Sequence, residues 1–137
     1  MTFLLDTNVL SELRKRSPDA GVAAWFDAVD SRQLYLSVLT VGEIWQGICR
    51  LRRRDLAQAA VFDQWLAGLL RAYSDRVVPV TAEVAEEWGR LNVPDPVSVV
   101  DGLLAATAKV HGWTLVTRNI SDVVDTGARL HNPFTSR

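Results

Sequence analysis

Short runs of apolar residues alternate along the chain with longer stretches of helical pattern. The short runs have the length and the Leu/Val content of buried β-strands. They predict five strands, at residues 2–5, 34–37, 77–80, 114–116 and 129–131. The longer stretches predict helices at residues 8–16, 18–29, 40–54, 55–73, 81–91 and 98–110.

Local signals set several of these boundaries. Pro18 suits the first turn of a helix, and Asp55 and Thr81 are typical capping residues. The two prolines within residues 92–97 predict a loop there. Gly112 is expected to end the last long helix.

The alternation of strands and helices predicts an α/β fold. Strands separated by helices form parallel sheets with helices on both faces. We therefore expect a three-layer α/β/α sandwich with a small, mostly buried, parallel five-stranded sheet, as a single domain over residues 1–137. Ligands of such sheets bind at the carboxyl ends of the strands, so we expect the chemistry at that edge.

Composition narrows the possible functions. The chain has 137 residues, 48% of them hydrophobic and 23% charged, which is typical of a folded domain and not of a disordered chain. The formal net charge is −1, so any nucleic-acid binding must depend on a local patch. The single cysteine, Cys49, excludes an intrachain disulfide and a cysteine zinc site.

Nothing in the sequence predicts a membrane or export role. The apolar runs are far shorter than the roughly 20 residues that span a bilayer. The opening residues MTFLLDTN have no basic region typical of a secretory signal. We expect a cytoplasmic protein with no membrane partner.

Four acidic residues stand in apolar surroundings. Asp6 directly follows the first predicted strand, and Glu43 interrupts an apolar helical stretch. Asp101 lies in the most apolar predicted helix, and Asp122 follows the fourth strand by a few residues. An ionised carboxylate is costly to bury unless it is paired or binds a metal.

A divalent cation would remove the repulsion between carboxylates in one crevice. Oxygen ligands without Cys or His favour a hard ion, Mg²⁺ or Mn²⁺. Such an ion can activate water and stabilise charge at a phosphoryl centre. The four acids are therefore candidate metal ligands.

A purely structural role for the same acids stays open. The spacings of Thr40 to Glu43 and of Ser98 to Asp101 match a capping box. Asp6 can cap the helix that starts near Asn8. Spacing alone does not decide between helix caps and a metal site.

Polar neighbours of the acids are candidate supporting residues. Thr7 and Thr117 offer hydroxyl groups, and Asn8 and Asn119 can hold water or phosphate, although turn and cap roles suit them equally. Arg118 can neutralise the acids or bind a phosphate. The basic run at Arg50 and residues 52–54 is either a solvated helix end or a contact for a phosphate backbone.

Four motifs occur in a fixed order along the chain. They are LLDTNVL at residues 4–10, TVGEI at 40–44 followed by Gly47-Ile48, VDGLLAATA at 100–108, and LVTRN at 115–119 with Asp122 three residues later. Together they resemble the PIN-domain nucleases, in particular the VapC-like toxins of bacterial toxin–antitoxin pairs, including the FitB-type branch. The resemblance covers nearly the whole chain.

The resemblance implies a five-stranded parallel sheet and an acidic pocket that binds Mg²⁺ or Mn²⁺. It implies metal-dependent hydrolysis of phosphodiester bonds in RNA. Asp6, Glu43 and Asp101 match the three core acids of the family, and Asp122 matches the fourth. Thr7, Asn8, Thr117, Arg118 and Asn119 are the supporting residues on this interpretation.

The resemblance also implies partners. These are the RNA substrate, a second copy in a homodimer, a cognate VapB-like antitoxin whose tail blocks the pocket, and operator DNA bound only through the antitoxin complex. Two positions depart from the family pattern. Gly102 stands where Ala is usual, which we expect to matter little. Val123 stands where an aromatic residue usually follows the fourth acid, and Asp125 lies nearby.

Other functions fit the same residues. A PIN fold can serve mainly as a binding module in an antitoxin–DNA complex, with little nuclease activity. A metal-dependent phosphatase or DNA nuclease on a similar sheet is a further alternative. Metal-dependent cleavage of RNA rather than DNA distinguishes these hypotheses.

Overall fold

The computed structural model of the chain describes residues 1–135. Within them lies one sheet of five parallel strands in the order β3-β2-β1-β4-β5. The strands are β1 (Phe3–Leu5), β2 (Leu34–Ser37), β3 (Val77–Val78), β4 (Thr114–Val116) and β5 (Arg129–His131). The helices are α1 (Thr7–Leu13), α2 (Ala20–Ala28), α3 (Val38–Arg52), α4 (Leu56–Ala72), α5 (Ala82–Leu91), α6 (Val99–His111) and α7 (Ile120–Val123).

The side chains of the central strand alternate between two hydrophobic cores. Leu5 of β1 belongs to a core with Val9 of α1 and Ile44 of α3. Leu4 belongs to a second core with Leu104 and Ala105 of α6. Because successive strand residues point to opposite faces, helices cover both faces of the sheet. The predicted three-layer α/β/α sandwich is confirmed.

Capping side chains place three helix starts slightly differently from the prediction. Asp6 caps α1 through the amide of Thr7, so this helix begins one residue early. Asp19 caps α2, which places Pro18 before the helix rather than in its first turn. Ser37 caps α3 through the amide of Leu39, so α3 begins at Val38 and not at residue 40.

The start of α3 overturns one structural interpretation of Glu43. Thr40 lies inside the helix, fully buried. It is not the N-cap, so the capping box predicted from Thr40 and Glu43 is wrong. Glu43 lies in the second turn of α3, away from the first amides of the helix.

Shorter elements were less predictable. Helix α7 has four residues, too few to reveal a period, and it was not predicted. Strand β3 has two residues instead of the expected four. Cys49 is exposed on α3 and is not packed in the core. No helix within residues 1–135 has the length and apolar character needed to cross a membrane.

Gly102 lies where α6 packs closely against α5. A Cβ at this position of α6 would lie 3.1 Å from Cδ1 of Trp88 on α5. Such a contact is tighter than ordinary van der Waals packing, so glycine lets α5 and α6 approach closely. The expectation that the departure at this position matters little for the family resemblance stays a prediction.

We expect Gly102→Leu to destabilise the domain by about 1–3 kcal/mol, because added carbons would overpack this contact. Gly89→Ala on α5 is the matched control, since a Cβ there meets nothing within 4 Å. It should stabilise the domain by about 0.5–1 kcal/mol through reduced backbone entropy of the unfolded chain. Urea unfolding measures both. Equal effects of the two variants would contradict the packing role.

Candidate active site

Asp6 lies where the central strand β1 ends and α1 begins. Its backbone N–H donates to the carbonyl of Val116 at the end of β4, 3.0 Å away. Its Oδ1 accepts a hydrogen bond of 2.7 Å from the amide of Thr7 and thereby caps α1. The residue is only 6% exposed. The Asp6 carboxylate is therefore both the cap of α1 and the buried acid that the sequence predicts.

The second oxygen of Asp6 is held by side chains from α1 and β4. The hydroxyl of Thr117 donates to Oδ2 at 2.8 Å, and Nδ2 of Asn8 donates to it at 3.3 Å. Thr117 Oγ1 in turn accepts from the backbone N–H of Asn119 at 3.0 Å. These bonds fix the orientation of the Asp6 carboxylate at the carboxyl edge of the sheet.

Glu43 reaches the same edge from α3. Its Oε1 accepts a hydrogen bond of 2.6 Å from the hydroxyl of Thr7, the residue that follows Asp6. Glu43 is half-buried. The bond links the start of α1 to the second turn of α3, across 36 positions of sequence.

Asp101 reaches the site from the other helical layer. It lies in the first turn of α6, where the helix dipole favours a negative charge. Its Oδ2 accepts a hydrogen bond of 2.7 Å from the hydroxyl of Ser98. The hydroxyl of Ser98 makes no capping bond to a backbone amide of α6. The two residues are therefore paired, but not as the predicted capping box.

The pKa of Asp6 is raised above its ordinary value, chiefly because burial penalises the ionised carboxylate. Hydrogen bonds from Thr117 and Thr7 act in the opposite direction, while the negative charges of Asp101 and Glu43 raise the pKa further. Asp6, Glu43 and Asp101 thus share one electrostatic environment. A cation near Asp6 would relieve both the burial cost and the repulsion.

Asp122 lies farther out. It is exposed in the first turn of α7. It lines a cleft of about 390 Å³ together with Asp101, and Asp95 and Asp125 line the same cleft. Sequence reasoning did not single out Asp95, whose place on a proline-rich loop carries no periodic signal.

Arg118 and Asn119 follow β4. The backbone N–H of Arg118 donates to Oδ1 of Asn8 at 3.3 Å, and its guanidinium lies 4.8 Å from the centre of the Phe134 ring. The predicted phosphate or acid contact of the Arg118 side chain stays a prediction. Asn119 supports the site through its backbone bond to Thr117.

The donor set suits a hard divalent cation by its chemistry, since carboxylate and hydroxyl oxygens from three helices and two strand ends meet at one edge. Within residues 1–135, however, no three acidic, His or Cys side chains stand together closely enough to hold a metal ion. Each core acid is instead satisfied by a neighbouring hydroxyl or amide: Asp6 by Thr117, Glu43 by Thr7, and Asp101 by Ser98.

Comparison with known proteins identifies the family. The sequence model of the PIN domain matches residues 3–121. The chain belongs to the PIN-domain family. The match includes Asp6, Glu43 and Asp101, and it ends one residue before Asp122.

Named relatives of this PIN domain are bacterial. It is 36% identical to the VapC ribonuclease Y4jK of Sinorhizobium fredii, over 96% of this chain and 97% of that protein. It is 29% identical to the toxin FitB of Neisseria gonorrhoeae, over 96% and 98% of the two chains. The solved structure of FitAB bound to an IR36 DNA fragment matches with a TM-score of 0.87 at 29% identity, covering 96% of this chain and 95% of that one.

We expect Asp6→Asn to raise the thermal midpoint of this PIN domain by a few degrees in EDTA at neutral pH. Asparagine retains an oxygen for the α1 cap, and the Thr117 hydroxyl can turn to accept a hydrogen bond from the new amide group. The substitution removes a charge that burial and two neighbouring acids disfavour. Because the folded-state pKa of Asp6 is raised, ionisation costs stability as the pH increases. The advantage of the variant should therefore be absent near and below pH 3.8, the ordinary value, and grow as the pH rises through the folded-state pKa.

Asp27→Asn is the control, since Asp27 is an exposed acid on α2. Differential scanning calorimetry from acid to neutral pH makes the comparison. An Asp6→Asn midpoint below that of the unaltered chain at neutral pH would show that the carboxylate stabilises the fold instead.

Proposed function

We propose that this PIN domain is a Mg²⁺- or Mn²⁺-dependent endoribonuclease that acts as the toxin of a toxin–antitoxin pair. The observation that carries the proposal is the buried Asp6 carboxylate, whose pKa is raised by burial and by the charges of Asp101 and Glu43. A fold without a use for this charge cluster would gain stability by losing it. The relative named as a VapC ribonuclease supports the reaction, and the relative named as a toxin supports the toxin role.

In this proposal Asp6, Glu43 and Asp101 hold the ion through their carboxylate oxygens, and Asp122 helps to orient it. When bound, the ion activates water and stabilises the charge that develops at the phosphate. Thr117 and Asn8 keep the Asp6 carboxylate in one orientation. Thr7 does the same for Glu43, and Ser98 for Asp101.

These hydroxyl groups hold the carboxylates in place before a cation binds. A carboxylate that is already aimed loses little conformational entropy when it takes up a cation. Bonds to an ion would replace the hydroxyl bonds that Glu43 and Asp101 now accept.

Substitution of a core acid should abolish cleavage of RNA. The assay incubates a total RNA pool with purified chain in Mg²⁺, Mn²⁺ or EDTA. We expect cleavage only with a divalent ion, and at least about a 100-fold loss in Asp6→Asn, Glu43→Gln and Asp101→Asn. A metal ion contributes several kcal/mol to the transition state, and about 1.4 kcal/mol corresponds to tenfold in rate.

Two matched pairs sharpen this test. Asp27→Asn should cleave like the unaltered chain, and Asp122→Asn should lose more activity than Asp125→Asn on the same cleft. Wild-type rates in Asp6→Asn and Asp101→Asn would overturn the proposed reaction. A chain that cleaves no RNA with either ion would favour the binding-module alternative, and preferential cleavage of DNA would favour a DNA nuclease.

The toxin role implies partners. We infer that a cognate VapB-like antitoxin neutralises the chain, that the chain forms a homodimer, and that operator DNA is bound only through the antitoxin complex. The relative FitAB, solved on a DNA fragment, supports the last point. The net charge of −1 gives the chain alone no general attraction for DNA.

Induced expression of the chain in a bacterial host should arrest growth, and Asp101→Asn should not. Co-expression of the antitoxin encoded in the same operon should restore growth. In gel-shift assays with promoter DNA, the two-protein complex should bind while the chain alone does not. Unimpaired growth with soluble, RNA-cleaving protein would contradict the toxin role.

A further inference from the structure

A groove begins beside the acidic site and runs between α1, α3 and α4. It has a volume of about 230 Å³. The lining residues that matter here are Thr7, Arg14, Glu43, Arg54, Phe62 and Trp65. We call it the α1–α3–α4 groove. Thr7 and Glu43, which are hydrogen-bonded to each other, form its end at the acidic site.

The residues that line the groove follow helix faces from the acidic site to the two arginines. On α1, the lining residues Thr7, Ser11 and Arg14 are spaced by four and three positions, so they follow one face of the helix. On α3, Glu43 and Gly47 begin a similar stripe that ends at Arg54 just beyond the helix. Seven residues of helix rise about 10 Å, so Arg14 lies roughly that far along α1 from Thr7.

Both arginines are exposed, and neither forms a salt bridge with an acid anywhere within residues 1–135. In contrast, the nearby Arg52 pairs with Asp63. In a chain of net charge −1, the far end of the groove therefore presents two uncompensated positive charges. These charges complement an anionic ligand that enters from the acidic site.

The apolar wall of the groove combines aliphatic side chains of α3 with two aromatic rings of α4. The guanidinium of Arg14 lies 4.1 Å from the centre of the Phe62 ring and 6.0 Å from that of Trp65. Both aromatic residues are half-buried on α4. Stacking on an aromatic ring holds a guanidinium plane in place and leaves its N–H edge for a phosphate.

We propose that the α1–α3–α4 groove is a nucleotide subsite, in which single-stranded RNA places the base next to the cleaved bond against Trp65, beside the Arg14 guanidinium that covers Phe62, and a phosphate farther along the strand on Arg14 and Arg54. Single-stranded RNA is recognised by stacking on aromatic side chains and arginine planes. The groove is smaller than the roughly 300–1,000 Å³ of sites for drug-sized ligands, so it fits one base. The inference rests on the proposed ribonuclease function.

An acidic peptide is the competing occupant. RNA is favoured because the groove opens on Thr7 and Glu43, beside the carboxylates at which the phosphodiester would be cut. An RNA strand that is bound at those acids must extend beyond them along the protein surface. The groove supplies positive charge about 10 Å farther along α1, beyond the position of the cleaved phosphate itself.

The test separates binding from cleavage by using the Asp101→Asn background. The probe is a fluorescein-labelled, random-sequence single-stranded RNA of about 12 nucleotides, within the span covered by one single-strand-binding domain. Anisotropy titrations over a range of salt concentrations give the dissociation constant. We expect Arg14→Gln and Arg54→Gln each to weaken binding about tenfold and to lower the salt slope by about 0.7, as for one phosphate contact on a single strand.

Arg71→Gln is the matched control, because Arg71 is an exposed arginine near the end of α4 that does not line the groove. It should bind like the Asp101→Asn parent. Trp65→Phe should remove part of the tryptophan fluorescence quenching that the RNA causes. Thermal unfolding of each variant checks that the fold is intact.

The outcomes distinguish the subsite proposal from the ribonuclease proposal. If Arg14→Gln and Arg54→Gln bind RNA as well as their Asp101→Asn parent does, the subsite proposal is wrong. The ribonuclease proposal is unaffected by that result. The same result with weakened binding of the antitoxin assigns the groove to a protein partner. A parent that binds no RNA at all overturns the subsite, and the cleavage assay of the unaltered chain then decides the ribonuclease proposal separately.

Discussion

The carboxylate of Asp6 connects the fold to the site. One of its oxygens caps α1, and the other receives the hydroxyl of Thr117 from the end of β4. The same group is buried beside two further acids, which makes its ionisation unfavourable. The turn from β1 into α1, the alignment of β1 with β4 and the charge of the site therefore all depend on a single side chain.

The position of Asp6 depends in turn on strand register. Leu4 and Leu5 point into separate cores, one on each face of the sheet. Because a shift of one residue would exchange these faces, two fully buried leucines specify where β1 ends. Strands of three residues are short, yet parallel neighbours on both sides of β1 hold this register. The two cores thus determine which residue arrives at the carboxyl edge.

The sequence predicted the fold and the candidate acids for identifiable reasons. Buried parallel strands appear as apolar runs, and an acid directly after such a run, as at Asp6, is easily noticed. The hydrophobic period of a long helix is visible in the sequence, whereas the four residues of α7 are too few to show one. The start of α3 was misplaced because Ser37 is both the last residue of β2 and the cap of the helix.

The partners of the acids were harder to predict. The bond from Thr7 to Glu43 joins two helices that are distant in sequence, and no spacing rule brings them together. Ser98 and Asp101 are three positions apart, so their proximity was predictable, but the capping box that this spacing suggests has a different hydrogen-bond pattern. The α1–α3–α4 groove escaped prediction because its residues come from three helices, and Arg14 and Arg54 are each unremarkable as helix-end cations.

Electrostatics links the acidic site to this groove. The carboxylates of Asp6, Glu43 and Asp101 repel a phosphodiester, and in a partly desolvated cleft that repulsion is stronger than in water. A divalent cation at the acids would offset most of this negative charge, but it would act only near the cleaved phosphate. Holding a flexible single strand requires further contacts on either side, and in a chain of net charge −1 these must be local. Arginines placed at the far end of the groove satisfy this requirement without neutralising the acids, because about 10 Å of helix separates the two charges and ions in solution screen them over a similar length. The separation allows one small domain to place carboxylates at one end of the groove and arginines at the other.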